Sequence, residues 1–239
     1  MNQQLIRSMP AFYINLDRDC DRRALLEAEI SRAGISVERV AAVYGRAVPD
    51  WLQGFYGEGL AAGEVGCSAS HLTICKTIIE RGLHFALVLE DDARLADDFK
   101  PAIHRAVAMA PPGWDIIRLI ESSNDRVQVL AELGGGRRLV RYLRVPRSTT
   151  GMIVSASGAK KLLTPRLIRE PIDVEIRWPW QLNLDVYGID PPLVTQASDN
   201  GLPTTIPFRS MPRKFNQHRR MIFNIRKMGL AGYFACRFG

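Results

Sequence analysis

The chain has 239 residues, 46% hydrophobic and 24% charged, enough to build a full core. That composition excludes a disordered, collagen-like or disulfide-stapled protein. The charge is split: from Gly201 onward there are eight Lys/Arg and no Asp or Glu, while the first 200 residues carry 24 basic against 25 acidic. This predicts a near-neutral main domain over residues 1–200 and a basic tail over 201–239, and it argues against a broad nucleic-acid-binding face. Four scattered cysteines (Cys20, Cys67, Cys75, Cys236) without a C-x-x-C pair read as reduced thiols. No apolar run approaches the roughly 18 residues of a membrane span, and MNQQLIRSMP has no apolar signal region. The expected setting is therefore cytoplasmic.

Ala11 to Leu16 is a short apolar run that predicts a buried strand, followed by a helical pattern through Leu25, Leu26 and Ile30 to a Gly34 cap. Val37 to Val43 reads as a second strand. The glycine- and aromatic-rich stretch to Gly63 reads as loop, and a helix is expected from Cys67-Ser68 to about Glu80. Phe85-Ala-Leu-Val-Leu89 is the strongest strand signal, with Glu90-Asp91-Asp92 at its carboxyl end. A capped helix after Asp97 or Asp98, a strand over Asp115 to Ile120 and a glycine-linked hairpin between Val127 and Val145 follow. A strand over Thr150 to Ser155 and a short helix to Leu163 come next, with weaker strand signals near Val186 and Val194. Strands alternating with helices, then a hairpin, predict an α/β fold with a mixed, mostly parallel sheet.

In such a sheet ligands bind beyond the carboxyl ends of the strands, which points to Asn15-Leu16-Asp17-Arg18 and to Glu90-Asp91-Asp92. Three adjacent carboxylates repel one another, and a bound Mg²⁺ or Mn²⁺ offsets that cost. Alternation places Glu90 and Asp92 on one side and Asp91 on the other, with Asp92 nearer the metal. Gly63-Glu-Val-Gly-Cys-Ser-Ala-Ser-His71 is a second cluster, in which glycines permit close approach and a helix start offers N–H groups to an anion. The P-loop, dinucleotide, zinc-protease and nucleophile-elbow motifs are all absent from the sequence.

Tyr13-Ile-Asn-Leu-Asp-Arg18 with Asp21-Arg22-Arg23, then Gly63 to Leu72, then Leu87-Val-Leu-Glu-Asp-Asp92, resemble the three signatures of glycosyltransferase family 25, in order and spacing. The later Gly151 to Ser155 strand and Glu170-Pro-Ile-Asp173 match as well. The resemblance, which covers about residues 10 to 200, implies a GT-A-like nucleotide-sugar fold, a UDP-sugar donor, metal dependence and inversion at the anomeric carbon. It implies that Asn15, Asp17, Arg18 and Arg22 meet the nucleotide, that His71 and Lys76 flank the donor phosphates, and that Glu90 and Asp92 hold ribose and metal. Cys75 and Met152 depart from the family pattern and leave the donor sugar open.

Inverting transfer also needs a base for the acceptor hydroxyl. Asp173 is the candidate, with Glu175 as alternate, in a loop lined by Trp178-Pro-Trp180. In the tail, positions 215, 218, 222, 225 and 229 form an apolar seam beside arginines, a pattern suited to an anionic membrane surface. The activity the resemblance implies is metal-dependent sugar transfer, galactose first, from a UDP-sugar to a lipooligosaccharide or other surface glycan, by an enzyme peripheral on the inner face of the cytoplasmic membrane. A metal-dependent phosphotransferase or nuclease, or a membrane- or nucleic-acid-binding module, are the alternatives.

Overall fold

A computed structural model describes residues 9–120, 126–197 and 217–238. Eight strands form one sheet. They are β1 (Ala11–Asn15), β2 (Glu38–Ala41), β3 (Phe85–Glu90), β5 (Ile116–Arg118), β6 (Val127–Gly134), β7 (Arg137–Tyr142), β8 (Gly151–Ser155) and β9 (Val186–Asp190), ordered β2-β1-β3-β8-β5-β9-β7-β6. Two three-residue strands, β4 (Ala93–Leu95) and β10 (Val194–Gln196), pair separately. β8 and β7 run against the other six, so the sheet is mixed but mostly of one direction. The helices are α1 (Cys20–Ala33), α2 (Ala62–Glu80), α3 (Phe99–Met109), α4 (Ala156–Leu162), α5 (Ile172–Arg177) and α6 (Gln217–Phe238).

β3 is central because every residue in Phe85–Leu89 is buried. Phe85, Leu87 and Leu89 enter one core layer with α1 and α3, while Ala86 and Val88 enter the other with α2 and α4. Each buried aliphatic or aromatic side chain contributes about 1.5–3 kcal/mol, so this strand anchors the acidic turn that follows it. The parallel strands β1, β3 and β5 end at one edge with Asn15, Glu90 and Arg118. The antiparallel β8 begins there, and the Thr150 carbonyl accepts from the Glu90 N–H at 2.9 Å.

The second helix departs from expectation. It starts at Ala62, not Ser68, and the Glu64 carboxylate accepts from the Ala61 N–H at 3.0 Å to satisfy its first turn. His71 therefore lies in the third turn, away from the unpaired N–H groups of the helix start. Gly66 serves protein packing: a Cβ there would stand 2.5 Å from the Val43 carbonyl oxygen.

Asp173 lies in the first turn of α5 rather than in a loop, with Pro171 before it. Trp178 is buried, and the half-buried Trp180 meets Phe223 of α6 edge to face.

The tail packs on the body, with a different seam from the expected one. Met228, Tyr233 and Cys236 cluster with Leu143, and Asn224 Nδ2 donates to the Leu143 carbonyl at 2.8 Å. Lys227 pairs with Asp185 at 2.7 Å. Ile222 is exposed, and Gly229 (φ 73°) breaks the helix in a conformation that only glycine adopts without strain. Phe215, the first seam residue, and the expected domain boundary at Gly201 lie outside the described residues. Among the described residues no helix is long and apolar enough to cross a membrane.

Candidate active site

The acidic turn after β3 divides its three carboxylates. Asp91 is spent on structure: it accepts from Arg22 Nε and Nη2 at 2.8 and 2.5 Å and from Asn15 Nδ2 at 2.8 Å. These bonds tie β1 and α1 to the turn, so Asn15 and Arg22 come to the site as its scaffold. Glu90 points to the opposite side, as alternation requires. Its Oε1 lies 2.9 Å from His71 Nε2 and accepts from Thr149 Oγ1 at 2.6 Å and from the Cys67 thiol at 3.6 Å. Burial alone would raise the Glu90 carboxyl. The hydrogen bond and field of His71, helped by Thr149 and Cys67, bring it below the usual range instead.

Asp92 has the opposite balance. Burial and the neighbouring Glu90 push its carboxyl up to about 6, although Arg22 Nη2 lies 3.4 Å from Oδ2. Its Oδ1 is buried without a partner among the described residues. A carboxylate that is short of one positive charge, beside a second carboxylate, is what a hard divalent cation would complete, so the residues fit Mg²⁺ or Mn²⁺. A second donor set, Cys67, His71 and Glu90, has its ligand atoms within 4.8 Å of one another. Sulfur and imidazole suit zinc better than magnesium. As placed, however, these groups form a hydrogen-bond hub on one oxygen, and burial, then Glu90, holds the Cys67 thiol well above its usual pKa.

Beside the turn opens a cleft of about 470 Å³, lined by Glu90, Cys67, Arg147, Thr149, Asp173 and Arg177 among others. Asp173 Oδ2 accepts from Arg147 Nε at 3.2 Å and from the Ser148 N–H at 3.4 Å, leaving Oδ1 unbonded among the described residues. Under the cleft lies Arg118, fully buried at the end of β5. It donates to the Arg147 carbonyl at 2.9 Å, while its Nε and Nη1 find no partner among the described residues. Burial pulls its guanidinium down from the ordinary value, against the fields of Tyr142, Asp173 and Glu90.

The structure thus brings Asn15, Arg22, His71, Glu90, Asp92 and Asp173 to one edge of the sheet. It does not bring the others. Asp17 and Arg18 are exposed at the rim, Asp17 paired with Arg39 and Arg18 lying 6.0 Å from the Tyr44 ring. Lys76 pairs with Glu80 and lies over Trp51, on the surface of α2. Glu175 is buried in an ion pair with Arg166 at 2.6 Å and is not among the residues that line the cleft. The segment Arg147-Ser-Thr149, which carries no motif signal in the sequence, supplies much of the cleft wall.

Fold and site together define an α/β protein with a carboxylate-bearing crevice at the carboxyl edge of its sheet. A family model described as "Glycosyltransferase family 25 (LPS biosynthesis protein)" matches residues 9–175, and the chain belongs to that family. It is 32% identical over 180 residues to procollagen galactosyltransferase 1-A of Xenopus laevis, covering 68% of this chain and 29% of that protein. It is 29% identical over 182 residues to procollagen galactosyltransferase 1 of Danio rerio, covering 69% and 30%. It is also 30% identical over 181 residues to a Mus musculus protein named inactive glycosyltransferase 25 family member 3, covering 69% and 30%. The chain spans about 30% of the length of these relatives.

Proposed function

We propose that the chain catalyses metal-dependent, inverting transfer of a sugar from a UDP-sugar to a glycan acceptor on a lipooligosaccharide or related lipid-linked glycan. Galactose is the first donor sugar to test, because two of the similar proteins are named galactosyltransferases. The observation that carries the reading is, in a family 25 chain, the unpartnered Oδ1 of Asp92 two residues beyond Glu90, which lines one cleft together with Asp173.

Each residue has a role in this reading. Asn15 and Arg22 fix the acidic turn through Asp91, so Asp92 and the second oxygen of Glu90 face the donor diphosphate. A divalent cation bound there supplies Lewis-acid neutralisation of the leaving diphosphate. His71, Thr149 and Cys67 lock the Glu90 carboxyl in place. Asp173, oriented by Arg147 and the Ser148 N–H, takes the acceptor hydroxyl's proton at Oδ1. The walls from Arg147, Thr149 and Arg177 exclude water and place the acceptor in line with the anomeric carbon. The basic tail holds the enzyme to an anionic membrane surface, on the cytoplasmic side, where a lipid-linked acceptor resides.

A family that includes proteins named inactive makes turnover the point to test. UDP release from UDP-galactose and other UDP-sugars is followed with a lipid-linked glycan acceptor, with Mn²⁺, with Mg²⁺ and with chelator. Acceptor-dependent release that needs the cation supports the proposal. UDP release that is unchanged by chelator removes the metal from it, and no release from any UDP-sugar overturns it.

A further inference from the structure

The segment from Leu143 to Thr149 lines two cavities. Pro146 to Thr149 form a wall of the catalytic cleft, while Leu143 and Arg144 line a second groove of about 650 Å³. The other groove residues are Arg126, Gln217, Arg220, Arg237 and Phe238, so four arginines and no acidic side chain face it among the described residues. A slot of about 20 Å³ lies between the two: Arg177 borders both slot and cleft, and Arg144 and Arg220 border both slot and groove. Arg144 and Arg147 are three residues apart, so the groove edge stands within about 11 Å of the cleft wall along the chain.

Beside the groove, the second half of α6 carries an apolar stripe. Leu230, Phe234 and Phe238 recur at four-residue spacing and are 62%, 51% and 73% exposed. The Phe234 and Phe238 rings stack with centroids 5.9 Å apart. The body-facing residues of the same helix, Met228, Tyr233 and Cys236, are already packed, so this stripe is surplus to the core. Gly229 re-aims the helix just before the stripe.

We propose that this groove is an anionic-headgroup site: Arg126, Arg144, Arg220 and Arg237 hold the phosphate of a lipid in a bilayer, and Leu230, Phe234 and Phe238 enter the headgroup–acyl boundary. The occupant follows from complementarity. Arginines present planar forks to phosphate oxygens, and an amphipathic helix with aromatic residues on its free face lies in a membrane interface. Because the one segment from Leu143 to Thr149 lines both cavities, the membrane surface meets the protein beside the catalytic cleft, and an acceptor rooted in lipid is presented close to it. This deepens the membrane part of the function proposed above and rests on it.

The test is co-sedimentation of the full chain with phosphatidylcholine vesicles, with and without phosphatidylglycerol. Three proteins are compared: the wild type, an Arg126→Gln/Arg237→Gln double variant and a Phe234→Ser/Phe238→Ser double variant, each checked for an unchanged thermal melt. The wild type is expected to bind only the anionic vesicles, and loss of two arginines to weaken partitioning about 30-fold. The Phe variant is expected to bind more weakly at every salt concentration, because its loss is apolar.

Failure of the wild type to bind anionic vesicles overturns both the groove and the membrane reading. Binding that survives the arginine substitutions overturns the groove alone. Binding of glycerol phosphate as tightly as of vesicles marks a soluble-anion site and overturns the bilayer as occupant. A concentration-dependent dimer in vesicle-free solution, abolished by the Phe substitutions, assigns the stripe to a second copy and does the same.

Discussion

Replacing Asp173 by Asn keeps the shape of the side chain and removes its charge. The structural cost is small, because the Arg147 pair is 37% exposed on the arginine side and such pairs contribute at most about 1 kcal/mol. In a chain of this size 1 kcal/mol moves the melting temperature by about 2–4 °C. A positioned general base contributes roughly 10²–10⁴ in rate, or about 3–5 kcal/mol, so the catalytic loss exceeds the structural one severalfold. The expected result is a melt within about 4 °C of wild type, kcat lower by roughly 10²–10⁴, and UDP affinity nearly unchanged. Steady-state transfer to a glycan acceptor, with calorimetric UDP binding on the same samples, measures all three. Turnover within about threefold of wild type, or equal losses in UDP binding and turnover, would show that Asp173 is not the base.

Asp92→Asn bears on the cation. The folded-state pKa of Asp92, about 6, lies above the carboxylate's usual 3.8, so its charge destabilises the metal-free fold as pH rises from about 4 through 6. Metal-free Asp92→Asn should therefore melt higher than wild type above about pH 7, with no difference below about pH 4, while Mn²⁺ should raise the melt of the wild type only. Glu175→Ala removes the carboxylate partner of the half-buried Arg166, whose Nη1 still donates to the Leu162 and Thr164 carbonyls, and thermal melts should fall by roughly 2–12 °C, corresponding to about 1–3 kcal/mol; a normal melt with lost turnover would restore Glu175 as a catalytic candidate. Gly188→Ala would place a Cβ 1.6 Å from the Tyr142 hydroxyl, and the variant should express mainly as insoluble protein; a soluble, normally melting variant would contradict this close approach of β7 to β9.

The parts of the fold with one dominant local signal were legible in the sequence. Phe85–Leu89, β1 and the glycine-linked β6–β7 hairpin stand where hydrophobic runs and turn residues put them. Gly34 caps α1 in the left-handed conformation, as its place after Ala33 suggests. What escaped depended on contacts distant in sequence. The start of α2 was obscured because Gly63 and Gly66 suggest loop, yet Gly66 is needed where the helix crosses the Val43 backbone. Asp98 does stand at the start of α3, but its side chain makes no cap and pairs instead with Arg137, 39 residues away. At the site, Glu90-Asp91-Asp92 was visible as a charge cluster. The division of labour among its members was not, because Arg22, His71 and Thr149 that decide it come from three other segments. Arg118 reads as an ordinary strand residue, and only the sheet order reveals it as a buried cation under the cleft. The tail is helical from Gln217 to Phe238 apart from the break at Gly229, but a helix with two apolar faces does not announce which one meets the body.

Calorimetric titration with UDP, in the presence and absence of Mn²⁺, on wild type and Asp92→Asn, tests the central claim most directly. A UDP-sugar transferase organised around Asp92 should bind UDP in the wild type at least about tenfold more tightly with Mn²⁺, a coupling of about 1.4 kcal/mol, and lose that coupling in the variant. UDP binding that ignores Mn²⁺ in both proteins would contradict the metal-assisted site, and failure of the wild type to bind UDP under either condition would contradict the nucleotide-sugar reading itself.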